Sequence, residues 1–213
     1  VNCDTRPSEH PDNYRFSTEI ERWLGQPIIY IRNPSYSTVD DVFIKHRYMS
    51  GIRGARCTTE LKKIPRFAFA QPDDVHVFGF TADEERRIKD FENRNPDLTL
   101  QWVLRDAGIT KSDCLQRIQR AGIELPAMYK LGFSNNNCPG CVKASSPWYW
   151  SMIRRHFPDV FKRRCEQSRN LGVRLVEIHH HGRIFLDTLP EKEYYQRRKE
   201  NMRCGPECGG PAK

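Results

Sequence analysis

Short apolar, β-branched segments alternate along this chain with longer stretches of helical period, and that alternation narrows the folds open to it more than any other feature. "VNCDT" at residues 1–5, "PIIYIR" at 27–32 and "VHVFGF" at 75–80 read as strands. "HPDNYRFSTEIERWLG" reads as a helix: Pro11 suits a first turn, Phe16, Ile20, Trp23 and Leu24 recur on one face, and Gly25 lies past the end. In "STVDDVFIKHRYM", Val39, Val42, Phe43 and His46 share a helical face. Thr81 with Glu84, and Thr110 with Asp113, have the spacing of capping boxes, while Ile109 and Cys114 suit a hydrophobic staple and Gly122 stops that helix. Further helices are expected in "SPWYWSMIRRHF" and "PDVFKRRCEQSRNLG", before two closing strands, "RLVEI" and "RIFL", joined by "HHHG". Strands alternating with helices predict an α/β fold, a parallel sheet with helices on both faces. Such a sheet binds its ligand at the carboxyl ends of its strands.

A chain of 213 residues can bury one sizeable core, and no repeat or low-complexity tract divides it. One domain is expected over residues 1–189, followed by a basic tail, 190–213, that carries Cys204 and Cys208. No apolar run approaches the roughly 18 residues a membrane span needs, and no signal-peptide pattern opens the chain. A cytoplasmic protein without membrane contact is expected. Lysine and arginine exceed aspartate and glutamate, 35 against 27, and the formal charge of +8 attracts polyanions.

Eight cysteines without a secretory signal point to ligands or catalysts rather than a disulfide framework. Cys138 and Cys141 form a CxxC, Cys57 lies well upstream, and "RCGPECGG" adds Cys204 and Cys208. Four thiolates from this set can enclose a 4Fe–4S cluster or a tetrahedral zinc once the fold gathers them. Cys3, Cys114 and Cys165 sit in strand-like or apolar helical segments and are expected to be packing residues. Lys62, Lys63 and Arg66 follow Cys57 closely enough to form one cationic pocket wall for phosphate or sulfate. Asp4 and Thr5 end a strand next to Glu9 and His10, in reach of a ribose or metal, although His10 and Asp12 equally suit a helix cap. His179, His180 and His181 are expected in a hairpin turn, because neighbouring strand side chains point to alternate faces. Trp148, Tyr149 and Trp150 suit either stacking on a base or a helix core.

"CTTELKKIPR", "GITKSDCLQRIQRAGIELPAMYKLGFSNNNCPGCVK", "YWSMIRRHFPDVF" and "GRIFLDTL" together resemble the phosphoadenosine phosphosulfate reductase-like family, in particular its phage and mobile-element branch. The likeness runs from "DTRPSEHPDNYRF" to the final "CGPEC". It implies an adenine nucleotide alpha hydrolase fold, with ATP or a sulfonucleotide over the strand ends of a Rossmann-like sheet. It further implies sulfur chemistry, either sulfonucleotide reduction or adenylation-linked sulfur transfer, and in several relatives a 4Fe–4S cluster. Iron–sulfur reductases of the family carry a Cys-Cys pair and a distant CxxC. Cys57 and Cys138/Cys141 match that layout, while Arg56 stands where the second cysteine of the pair would be. Cys208, or Cys204, is expected as the fourth ligand. By the same resemblance Asp4, Thr5, Lys62, Lys63, Gly79, Phe80 and Thr81 are expected near the nucleotide, with Arg66 completing the basic group.

Two departures bear on function. The glycine-rich SGGxDS-type loop that holds the phosphates in relatives is absent from this sequence, which starts at about the second strand of that fold, so a lost first strand is expected. The tail reads "ECGGPAK" rather than an "ECGLH"-like segment, which leaves Cys208 as either cluster ligand or attacking thiolate. A reductase implies a thioredoxin-like reductant as partner; a sulfurtransferase implies a nucleic-acid acceptor, which the positive charge suits. A homo-oligomer is compatible with either. The alternative from a different class is a catalytically degenerate, zinc-stabilised module that binds nucleic acid or a protein.

Overall fold

The computed structural model describes residues 1–51 and 54–195. Strand β1 (Asn2–Cys3) runs parallel to β2 (Tyr30–Ile31), with helix α1 (Asp12–Leu24) as the crossover between them. Thr38 then caps α2 (Val39–His46) through a capping box with Asp41, and α2 buries Val39, Val42 and Phe43 on the face its sequence period predicts. A short hairpin, β3 (Ser50–Gly51) with β4 (Gly54–Ala55), leads into α3 (Arg56–Thr58), a π-helical turn (Thr59–Lys63) and α4 (Ile64–Phe69). A second parallel unit follows: β5 (Val75–Val77) pairs with β6 (Thr99–Gln101) across α5 (Glu85–Arg94). Glu84 accepts from the Thr81 N–H at 3.1 Å, closing the capping box read there. Helices α6 (Val103–Asp106), α7 (Lys111–Arg120, capped by Thr110), α8 (Ala127–Lys130), α9 (Pro147–His156) and α10 (Pro158–Asn170) come next. An antiparallel hairpin, β7 (Val176–Ile178) and β8 (Gly182–Ile184), turns through the exposed His179–His181.

The mixed α/β class holds, but the expected single sheet is replaced among the described residues by four two-stranded ladders, two parallel and two antiparallel. In "PIIYIR", Pro27 has no N–H to give and the Ile28 N–H goes to the Glu21 carboxylate at 2.8 Å, so the segment pairs with β1 only from the Ile29 carbonyl onward. No described helix is long and apolar enough to cross a membrane.

Apolar burial falls into two clusters. The larger joins α2, α9, the β7 hairpin and the segment around Met128, with Val42, Phe43, Met49, Trp150 and Ile153 inaccessible or nearly so. The smaller packs Phe80, Ile88, Phe91 and Trp102, where the Phe91 and Trp102 rings meet edge to face at 5.7 Å. Helix α1 turns its expected face inward only over its first part: Asn13, Phe16 and Ile20 lie on one side, buried or half-buried, while Trp23 and Leu24 at its end are 50% and 57% exposed.

Asp12 fastens the start of α1 to the start of α8. Its carboxylate accepts from Arg15 at 2.6 Å and from the Ala127 N–H at 2.8 Å, and these bonds lower its pKa to about 2. A carboxyl depressed on folding stabilises above its unfolded pKa, about 4, and that stabilisation is lost as pH falls through the folded value. Asp12→Asn is therefore expected to cost about 1–2 kcal/mol at neutral pH. The gap between wild type and variant in urea midpoint should close as pH is lowered from about 4 to about 2.

Candidate functional site

The loop between α8 and α9 carries the three asparagines and the CxxC, and it sends the two sets of side chains to different places. Its cysteine half is a tight turn. Gly140 takes a left-handed φ of 69°, and its carbonyl accepts from Arg164 Nε at 3.0 Å. Arg164, 2% exposed, also donates to Asp40 and to Gln167 (2.6 Å). From the other side the buried Tyr149 hydroxyl accepts from the Cys141 N–H at 2.8 Å and donates to the Cys138 carbonyl at 3.4 Å. Tyr149 and Trp150 are thus core residues, 1% and 0% exposed, and not a surface for stacking on a base.

The three cysteines predicted as ligands share one electrostatic neighbourhood. Burial pushes the Cys57 thiol up to about 11, charge on Cys141 pushes the same way, and Lys143, Lys62 and Arg164 oppose it. Cys138 is raised by burial too, opposed by Lys62 and reinforced by Glu9, Cys141 and Cys57. Three thiols in mutual reach are a soft donor set of the kind zinc and iron–sulfur clusters take, and a bound metal deprotonates such thiols outright. The gathering is nevertheless looser than a ligand cage: among the described residues no group of three His, Cys, Asp or Glu side chains stands close enough to hold a metal ion. Cys204 and Cys208, the candidates for a fourth ligand and for the attacking thiolate, lie outside the described residues. Cys3 bonds the Lys62 carbonyl at 3.3 Å, and Cys165 packs against the larger core.

The asparagine half of the loop faces two depressions. One, of about 410 Å³, is lined by Gly79, Thr81, Lys111, Cys114, Tyr129 and Asn135 among others. The other, of about 370 Å³, includes Thr5, Arg6, Glu9, Asn13 and Lys62. Asn136 lines both and forms the wall between them. A chain of bonds holds that wall: Thr5 Oγ1 donates to Glu9 at 2.6 Å, Asn13 Nδ2 to Glu9 at 2.7 Å, and Asn136 Nδ2 to Asn13 Oδ1 at 2.9 Å. On the far side Lys111 Nζ donates to the Ser134 carbonyl at 2.6 Å and to Asn135 Oδ1 at 2.5 Å.

The residues expected at a nucleotide therefore divide. Thr5 and Lys62 border one depression, Gly79 and Thr81 the other. Asp4 is tied to Arg6 at 2.8 Å, which holds its carboxyl below the usual range, and His10 accepts from the Asp12 N–H at 3.1 Å as a cap. Phe80 belongs to the smaller core. Of the cationic wall expected from Lys62, Lys63 and Arg66, Lys63 is turned inward, while Lys62 and Arg66, four residues apart, both act on the Cys3 thiol. Lys63 is 8% exposed, and the Arg66 guanidinium lies 5.2 Å from the Phe78 ring. Consecutive residues of a helical turn point about 100° apart, so Lys62 and Lys63 do not share one face. Sequence reasoning missed Arg164, Asn13, Lys111 and the asparagine wall, because each acts through a partner distant in the chain; only the "NNN" run itself was visible.

Adding a methyl at Gly140 would bring it to 2.7 Å from Val160 and 3.2 Å from Arg164, in a backbone conformation that disfavours side chains. Gly140→Ala is expected to lose about 1–3 kcal/mol of stability and to speed reaction of the buried thiols with a disulfide reagent. Denaturant titration and thiol kinetics on the same preparation measure both. Comparisons with family models, with curated proteins and with solved structures find no match to this chain.

Proposed function

We propose that the chain is a nucleotide-dependent sulfur enzyme. In this reading an adenine nucleotide, ATP or a phosphosulfate, lies across the two depressions, and Cys57, Cys138 and Cys141 hold a 4Fe–4S cluster or a zinc behind them, with Cys208 or Cys204 as fourth ligand. The observation that carries the reading is the position of the asparagine loop. Asn136 and Asn137 border the depressions and Cys138, the next residue, lies among the buried thiols. Consecutive Cα atoms are 3.8 Å apart, so Asn137, on the edge of the larger depression, and Cys138 are one chain step apart. The two parallel strand–helix–strand units support a sheet of the adenine nucleotide alpha hydrolase type.

Lys62 has the central role among this chain's own residues. It borders the smaller depression and lowers the cost of negative charge at Cys3, Cys57 and Cys138. An anionic phosphate or sulfate there would meet the same positive field. When bound, the cluster or metal supplies a soft electrophilic centre, and a cluster also supplies electrons. A thioredoxin-like reductant as partner fits reduction; a nucleic-acid acceptor fits sulfur transfer. The second reading is a zinc-stabilised binding module for nucleic acid or protein; the burial of Lys63 favours it in its protein-binding form, since that takes one cation from the surface a phosphate would use.

Iron, sulfide and zinc content of anaerobically purified protein, with ATP binding by calorimetry, test the proposal. Brown protein with about four iron per chain, lost in Cys141→Ser, together with ATP binding weakened in Lys62→Ala, is the expected outcome. Colourless protein with zinc and no nucleotide affinity would replace it with the binding module.

A further inference from the structure

We infer that Asn135 and Asn136 form a paired amide reader for a nucleobase edge, specific for a 6-aminopurine. The inference rests on the nucleotide reading above and adds the residues that would choose the base. Lysine has only donors, so the amide group facing Lys111 Nζ must be the Asn135 oxygen. That leaves Asn135 Nδ2 pointing away from the lysine as a donor. At the other end a carboxylate settles the order. Glu9 can only accept, so Asn13 presents Nδ2 to it and turns Oδ1 to Asn136. Asn136 must then answer with Nδ2, which leaves its Oδ1 as an acceptor.

A cation and an anion thus fix two adjacent amides in opposite senses. The two atoms so left over, Asn135 Nδ2 and Asn136 Oδ1, are buried and have no hydrogen-bond partner among the described residues. Buried polar groups are rarely left unpaired, and a site whose amides await a partner rejects ligands that present the wrong edge. Both residues line the larger depression, beside Tyr129, whose phenolic oxygen is hydrogen-bonded to the Asn136 backbone. A donor on one residue and an acceptor on the next match, in kind and order, a ring nitrogen and an exocyclic amine, the edge of adenine. A keto purine carries the two groups in reverse order at the same positions. Since both atoms are closed off from solvent in this conformation, the loop has to part slightly for a base to reach them.

Asn135→Asp is the informative substitution. It keeps an oxygen for Lys111 and turns the donor into a charged acceptor, so the readout is the ratio of the two nucleotides, which carry the same phosphates, and not the affinity for either. Calorimetric titration of wild type, Asn135→Asp, Asn136→Ala and Lys62→Ala with ATP and with GTP separates the possibilities. The expected result is that wild type prefers ATP by about tenfold, that Asn135→Asp and Asn136→Ala abolish the preference, and that Lys62→Ala weakens both nucleotides alike. An ATP-to-GTP ratio unchanged in a folded Asn135→Asp variant overturns the base-reading role while leaving nucleotide binding intact. Wild type that binds neither nucleotide overturns the nucleotide reading and this inference with it. Loss of affinity for both nucleotides in proportion marks the asparagines as structural and also overturns the inference.

Discussion

The buried guanidinium of Arg164 is the interaction on which the rest of the site depends. A charge this far from water is tolerated only when each donor finds an acceptor, and here α10 supplies the cation, α2 supplies Asp40, and the CxxC turn supplies the Gly140 carbonyl. Arg163, one residue earlier, adds a more exposed bond to the same aspartate at 2.8 Å. One side chain therefore sets the spacing of two helices and the shape of the turn that presents Cys138 and Cys141. Its positive charge also lies in the field of Cys57 and Tyr149. Removing the acid alone would leave a buried unpaired cation, which costs more than the pair contributes.

Behind that turn the loop separates two kinds of chemistry. Asparagine suits the wall because an amide both donates and accepts, and so it can pass polarity from Glu9 through Asn13 to Asn136. Cysteine suits the interior because a neutral thiol tolerates burial and becomes a strong ligand only when a metal takes its proton. Three asparagines followed directly by the CxxC are a partition: one half of the loop faces the depressions and the other the thiols.

Much of the local structure was legible. Thr38, Thr110 and Ser146 precede their helices as sequence rules require, and the histidine run makes a hairpin turn because three adjacent strand side chains cannot converge. The polar part of the inner face of α1 was not legible. Asn13 lies on the same side as Phe16 and Ile20, but its bonds to Glu9 and Asn136 are a pairing that an apolar period does not reveal. The inward turn of Lys63 was not legible either: closeness in sequence says nothing of direction around a widened helical turn.

By itself the sequence determined where helices begin, that strand and helix alternate, that the chain carries excess positive charge, and that thiols at 57, 138 and 141 are candidates for one task. These follow from caps, period and residue chemistry, all of which act within a few residues. Only the tertiary structure decided that the strands pair two by two, that Asn136 divides two depressions, and that Arg164 and Tyr149 shape the cysteine turn. Those outcomes depend on which buried polar group finds which partner across long stretches of chain. Pairing of that kind is settled by the whole packed interior, where an unmet donor or acceptor is too costly to leave in place, and no short window of residues encodes it.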